Sequence, residues 1–475
     1  MLFGLWVGRG KQSSSDYFLG NRSLPWGALL LSIVATETST VTFLSIPGIA
    51  AVAGGDLTFL QITFGYIVGR LFVVFILLPL YFRGRPFTAY EVLESRFGKT
   101  SRRIVSALFL VTRNTSDSLR LFLTALVLQI ALGLDLSVSV IAIGIVTVLY
   151  TFFGGAKSVI WNDCIQFVIY MFGAVAAGLI IVRLVPGGFG EIVSSASSLG
   201  KLQVFDFDLS MMKPSMTFWA GLVGGAFLTA ATHGTDQLMV QRYLSARRQS
   251  DAALALAASG FIVMLQFALF LMLGIGLAAF FASADHAAIG ASLKSDQLFA
   301  WFIVHYMPVG LLGITLAAVF AAAMSTLSSS LNSSAAVFVK DLYLPLRRDV
   351  TEEGEVRTSR IVTVLFGVLQ IGMALLFGLL GTNESTVASV LKISGFAAGP
   401  VLGLYFLAVF AHRVGQRAAL GGFLLGVVSL SIVAMGTPVH WAWYALLGSF
   451  ATFLWACLIH FLLPQVLRST APGNT

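Results

Sequence analysis

Apolar residues in this chain come in long blocks and do not alternate with polar ones. Twelve blocks stand out, at roughly 25–52, 58–82, 104–133, 136–154, 158–184, 215–241, 252–284, 300–338, 358–381, 386–411, 416–437 and 440–465. Each is about 20 residues or longer, the length a helix needs to cross the hydrocarbon core of a bilayer. A transmembrane barrel would instead show alternating segments of about 10 residues. The blocks are numbered here as spans 1–12. Ahead of them, the octet MLFGLWVG is apolar but too short to span, and it lacks the basic start of a signal peptide. It reads as the tail of a helix whose beginning is missing.

Three spans carry polar residues in patterns that a lipid-facing helix does not need. Span 1 contains IVATETSTVTFLSIPG at 33–48, where six of the seven residues from Thr36 to Thr42 are hydroxylated or acidic, and Pro47-Gly48 follows. Span 6 contains ATHGTDQ at 231–237. Broken helices in first and sixth position suit a five-plus-five inverted repeat, in which unwound carbonyls and half-helix ends face ions and solute near the bilayer midplane. The bland alternative is that span 6 ends at Gly234 and the polar run is loop. In span 8, Ser325, Ser328, Ser329 and Asn332 recur at i, i+3, i+4 and i+7, which is one helical face. Small hydroxylated residues also make packing seams between membrane helices. A hard cation prefers oxygen ligands, so ion site and seam both remain open from the residues alone.

Composition agrees with the spans. Of 475 residues, 57% are hydrophobic and 11% charged, against about 25% charged in soluble domains. The net charge of +8 is explained by topology. Loops 9–24, 83–103, 155–158, 242–251, 339–360 and 412–417, with the C-terminus, hold 21 of the 29 Lys and Arg; the opposite loops hold Arg183, Lys201, Lys213 and Lys294. The positive-inside rule makes the first set cytoplasmic, with the C-terminus inside a plasma (bacterial inner) membrane. The excess charge is therefore not a nucleic-acid footprint, and the surrounding partner is the lipid bilayer. Cys164 and Cys457 lie in spans, which gives no disulfide framework or zinc spacing. The GKT at 98–100 has Leu93 where a phosphate-binding loop needs glycine. No nucleophile–base or metal constellation points to an enzyme.

Ionisable groups within spans are expensive, and they line pathways or pair with one another. Here they balance: Arg70, Arg113, Arg120 and Lys392 against Glu37, Asp117, Asp163 and Asp236.

Six stretches, in order, carry a resemblance. They are SDYFLGNRSLPW (15–26), TAYEVLESRFG (88–98), FFGGAKSVIWNDCIQ (152–166), GTDQLMVQRYLSARR (234–248), STLSSSLNSSAAVFVKDLY (325–343) and GPVLGLYFLAVF (399–410). Together they resemble the sodium:solute symporter family over roughly residues 15–465. The resemblance implies an all-α polytopic membrane protein with the LeuT-type five-plus-five inverted repeat and discontinuous first and sixth core helices. It divides the chain into an N-terminal remnant and loop (1–24), a first repeat (25–184), a second repeat (185–411) and two peripheral helices with a short tail (412–475). It implies sodium as coupling ion, no other cofactor, and uptake of a small organic solute by alternating access. The shared sodium site falls on the carbonyls of Ala35, Thr38 and Ala322 and the hydroxyls of Ser325 and Thr326. A second sodium site, present in some members, maps onto Asp163, Ser325, Ser328 and Ser329. The alternative role for Asp163 is counter-charge to a nearby base.

The chain departs from the family's sugar carriers. Their sugar-contacting polar position late in the first core helix is Thr42, their aromatic gate in span 6 falls near His233, and Lys392 stands where they use glutamine. Arg113, Asp117 and Arg120 form one stripe of span 3, and an arginine fork suits a carboxylate. An anionic solute held by Arg120 or Lys392 is one reading. Internal neutralisation is the other, with Asp117 satisfying both arginines and Glu37 satisfying Lys392. Glu37, Thr42, Arg120, His233 and Lys392 are the substrate candidates. A sugar or other neutral solute is the alternative cargo, and a sensor on a transporter fold the alternative class. Arg70 either snorkels or pairs with Asp236.

Overall fold

The structure is a computed structural model, described here for residues 13–84, 86–283, 286–347, 350–380 and 386–462. The octet expected to be a helix remnant lies outside these residues, as does the C-terminal tail. Among the described residues, nine helices are long and apolar enough to cross a membrane, and one bent pair makes ten. Spans 3 and 6 are also helical, but they carry the Arg–Asp–Arg stripe and the Thr-His-Gly-Thr-Asp run and are not among those ten.

Span 1 is the bent pair, Trp26–Glu37 and Thr40–Ala51, which meet at 59°. Its second half runs through Pro47-Gly48 to Ala51. Proline there withdraws one donor, yet the helix survives because its neighbours pack tightly. A Cβ on Gly48 would meet Ser295 O at 2.0 Å, and one on Gly274 of span 7 would meet Pro47 O at 2.1 Å. The last carbonyls of this half-helix are collected by a lysine. Lys201 Nζ donates to Ala50 O (2.9 Å), Val52 O (2.6 Å) and Gly55 O (2.9 Å). A cation at a helix C-terminus also meets the negative end of the dipole.

Span 6 breaks at Asp236, whose backbone is extended (φ −83°, ψ 124°) between Gly225–Thr235 and Gln237–Leu244. The polar run is therefore a helix break and not only a loop. The Asp236 carboxylate caps the second half by accepting from Leu238 N at 2.8 Å. The next residue, Gln237, clamps the loop after span 2: its Oε1 accepts from Ala89 N (2.7 Å) and its Nε2 donates to Phe87 O (3.1 Å).

The block expected at 300–338 is two helices, Ser295–Tyr306 and Val309–Val337. Pro308 forces the division, because it lacks a donor and pushes the residue before it to extended backbone; Met307 sits at φ −74°, ψ 130°. Spans 4 and 5 are separated by Gly155 (φ +59°). A Cβ there would lie 3.0 Å from Tyr17 O, so glycine serves both the left-handed backbone and the close approach.

Candidate ion and solute sites

At the break in span 1, Ser39 N turns to Glu37 O (3.0 Å). It no longer serves Ala35 O, its partner in an unbroken helix. The vacated role falls to span 8. Ser325 Oγ donates to Ala35 O at 2.7 Å, and Thr326 Oγ1 donates to Thr36 O at 3.0 Å. Both hydroxyls also lie 3.5 Å from Ala322 O. Four of the five expected first-site residues therefore contribute oxygens to one buried junction between spans 1 and 8. Hydroxyls that now donate can rotate and offer lone pairs to a cation. Thr38 has the non-helical backbone of the break (φ −81°, ψ 81°). Its hydroxyl is engaged elsewhere, donating to Val34 O (2.8 Å) and lying 3.0 Å from Gln266 Oε1 of span 7.

Asp163 is wholly buried. Its Oδ2 accepts from Ser32 (2.5 Å) and Thr36 (3.3 Å) and lies 3.3 Å from Arg242 Nη2. Its Oδ1, equally buried, has no hydrogen-bond partner among the described residues. Ser329 also meets Arg242, accepting from the same Nη2. Ser328 donates to Ser325 O at 3.3 Å. The counter-charge for Asp163 is thus Arg242, which the sequence had assigned to a cytoplasmic loop. It lies inside the second half of span 6, buried. The one available signal was Asp163 itself: a buried carboxylate needs a partner, but the sequence does not say which.

On the other side of the break the side chains face a cavity of about 850 Å³. Its wall includes Glu37, Thr42, Arg120 and His233, four of the five substrate candidates, along with apolar Phe59, Tyr66 and Phe267. Lys392 is not among the wall residues, although its neighbours Leu391 and Ser394 are; it lies instead within electrostatic reach of His440. Glu37 does not pair with it. Glu37 bonds to Arg70, and its Oε2 lies 3.5 Å from His233 Nε2. Arg70 neither snorkels nor pairs with Asp236; it is fully buried behind the cavity wall, with Nη2 3.3 Å from His233 Nε2.

The stripe on span 3 is a shared-carboxylate cluster. Arg113 Nε donates to Asp117 Oδ2 at 2.5 Å, and further nitrogens of Arg113 and Arg120 converge on Asp117 Oδ1. One aspartate therefore serves two arginines. Arg113 has a second, looser partner in Asp236 (3.8 Å). Arg120 Nε is buried without a hydrogen-bond partner among the described residues. A second cavity of about 460 Å³ adjoins the first, and the two share Arg113, Asp236, Thr232 and Ser394 as wall residues.

A broken first helix lending carbonyls to a hydroxylated eighth span, beside a solute-sized cavity, is the arrangement of an ion-coupled carrier. The sodium:solute symporter family signature matches residues 17–426. The chain belongs to the sodium:solute symporter family. It is 31% identical to sodium-coupled monocarboxylate transporter 1 of Mus musculus over 443 residues, 92% of this chain and 71% of that protein. It is 29% identical to the sodium/sialic acid symporter NanT of Aliivibrio fischeri over 450 residues, 94% of this chain and 88% of that one. A solved structure of a Na+-coupled sialic acid symporter, substrate-bound and outward-open, superposes with a TM-score of 0.88 at 26% identity, covering 98% of this chain and 95% of that chain. Mhp1, a nucleobase-cation-symport-1 family transporter, superposes at 0.59 with 14% identity, a likeness of fold alone. The fold is the LeuT type, with five-plus-five inverted repeat and broken first and sixth core helices. The family member described here is a sodium-coupled symporter of a small organic solute, a multi-pass membrane transporter and not an enzyme.

Proposed function

We propose that this symporter imports a small organic carboxylate, driven by two sodium ions, and that Arg120 receives the carboxylate. The observation that carries this reading is the orphaned, buried Arg120 Nε beside the 850 Å³ cavity that Arg120 lines. A buried donor without a partner is costly, and an arriving carboxylate removes that cost. The relatives named for monocarboxylates and sialic acid both carry acids, which supports the same class. Glu37, Thr42 and His233, across the cavity, hydrogen-bond the remainder of the solute. Arg113–Asp236, which borders both cavities, closes the inner end of the path.

The first sodium is held by the carbonyls of Ala35, Thr38 and Ala322 with the hydroxyls of Ser325 and Thr326. The second is held by Asp163 with Ser325, Ser328 and Ser329. The convergence of Ser325 Oγ and Ala35 O supports the first, and the unpartnered Asp163 Oδ1 supports the second. Each sodium crossing with a 100 mV potential contributes about 2.3 kcal/mol. The protein sits in the plasma (bacterial inner) membrane with its basic loops and C-terminus cytoplasmic.

The test is a thermal-shift and uptake screen of purified protein with lactate, pyruvate, sialic acid, glucose and proline, in sodium and in potassium. A sodium-dependent response to an acid is expected. A response confined to glucose or proline would replace the carboxylate by a neutral or zwitterionic cargo.

A further inference from the structure

The side chain that meets Asp163 is itself a cation, and it is placed as an ion would be. Arg242 Nη2 is surrounded by three side-chain oxygens: Thr36 Oγ1 at 2.5 Å, Asp163 Oδ2 at 3.3 Å, and Ser329 Oγ. Two of the three, from Asp163 and Ser329, belong to the oxygen set proposed for the second sodium. The rest of the guanidinium is held as well, by Nε to Ser32 Oγ (3.0 Å) and Nη1 to Leu238 O (2.5 Å). We propose that Arg242 is a tethered internal cation that occupies the second sodium site when sodium is absent, and that the two occupy it alternately. This rests on the second-sodium reading above and deepens it.

The physical reason is exclusion. Two positive charges a few ångströms apart in a water-poor interior repel strongly, and here they would share two ligands, Asp163 and Ser329. An empty site would otherwise leave Asp163 as a buried, uncompensated charge, which the fold does not tolerate. The arginine solves that problem at the expense of sodium affinity. Beside Arg242 lie Gln241, Ser245, Ser329 and Asn332, a polar rim along which the guanidinium can shift only if the half-helix that carries it also moves.

The consequence is mechanical. Arg242 stands on Gln237–Leu244, the half-helix after the break at Asp236. Its guanidinium ties that half-helix to span 1 through Ser32 and Thr36, to span 5 through Asp163 and to span 8 through Ser329. Sodium at Asp163 and this tether are mutually exclusive, so filling the second site loosens the inner half of span 6.

The experiment is a sodium titration of the full-length purified protein, followed by 22Na+ binding and by melting temperature. Wild type should bind with two components, the second weak. Arg242→Gln should tighten the second component at least tenfold and gain more melting temperature from sodium than wild type does. Arg242→Lys, which keeps the charge, should restore the weak second component. Ser328→Ala provides a test if Arg242→Gln does not fold. It leaves every contact of Arg242 intact and removes one sodium oxygen, so it should lose the second component without lowering the melting temperature in sodium-free buffer. If Arg242→Gln binds sodium no more tightly, or Ser328→Ala keeps both components, the alternation is wrong and Arg242–Asp163 is a fixed structural pair. A single sodium component in both wild type and Arg242→Gln would instead overturn the second-sodium reading itself, so the two failures are distinguishable.

Discussion

Replacing Arg120 by glutamine isolates the charge that the solute is proposed to meet. A carboxylate about 4 Å from the guanidinium gains about 4 kcal/mol at an effective dielectric constant of 20. Asp117, bonded to the guanidinium through Nη1, opposes it. At roughly 6–7 Å from the same carboxylate it costs about 2.5 kcal/mol. The wild-type balance is thus about 1.5 kcal/mol in favour of binding, a selective but modest grip. Arg120→Gln removes the attraction and leaves the repulsion, a change of about 4 kcal/mol at most. Water in the cavity screens up to about half of that charge effect, so the half-saturation concentration for an acid should rise about 30- to 1000-fold. The fold should persist, because Asp117 retains Arg113 through Nε at 2.5 Å. The assay is initial uptake into proteoliposomes under an inward sodium gradient, with Arg120→Lys as the charge-preserving control and 22Na+ binding as the control for the ion sites. A shift below threefold for every transported acid, with sodium binding intact, would refute the placement of the carboxylate.

Ser325→Ala removes the hydroxyl that meets both Ala35 O and Ala322 O. Losing one charge-assisted contact of about 1.5–3 kcal/mol should raise the sodium half-saturation about 10- to 100-fold in uptake assays. Glu37→Gln strands Arg70, which is fully buried and whose Nε and Nη1 already lack partners. Breaking a buried pair costs about 3–5 kcal/mol, so the melting temperature should fall by several degrees, whereas a Glu37 side chain that only faces solute would leave it unchanged. Gly155→Ala places a Cβ 3.0 Å from Tyr17 O at φ +59°. About 1–2 kcal/mol of left-handed strain should appear as reduced thermal stability, with sodium affinity unaltered.

The break in span 1 was legible because six polar residues in seven cannot face lipid, and the backbone has to leave the helix to use them. The hydroxyl face of span 8 was legible for a related reason. Its period of 3.6 keeps Ser325, Ser329 and Asn332 on one side, and that side meets Ala35 O, Arg242 and Gln241 in turn. Partnerships across helices were not legible. The sequence paired Glu37 with Lys392 and left Arg70 to snorkel or to pair with Asp236; the packing of span 2 on span 6 is what brings Arg70 to His233 and Glu37. Arg242 was hidden because it follows the apolar run and stands close to Arg247 and Arg248, where a basic loop is the ordinary reading. A helix that resumes after a one-residue break carries its end deeper than hydropathy suggests. The division of 300–338 was in plain view at Pro308, but a long apolar run masked it. Lys201 shows the same limit from outside: a loop lysine can finish a membrane helix whose own sequence lacks a cap.

The most direct measurement is equilibrium 22Na+ binding to the purified protein, competed with unlabelled sodium or potassium and repeated with a carboxylate present. Saturable binding is expected, displaced by sodium and not by potassium. An acid should tighten it, since coupling between two sites is reciprocal, and Ser325→Ala combined with Thr326→Ala should abolish the tight component. Absence of saturable binding, or equal displacement by potassium, would contradict a sodium site at the break of span 1.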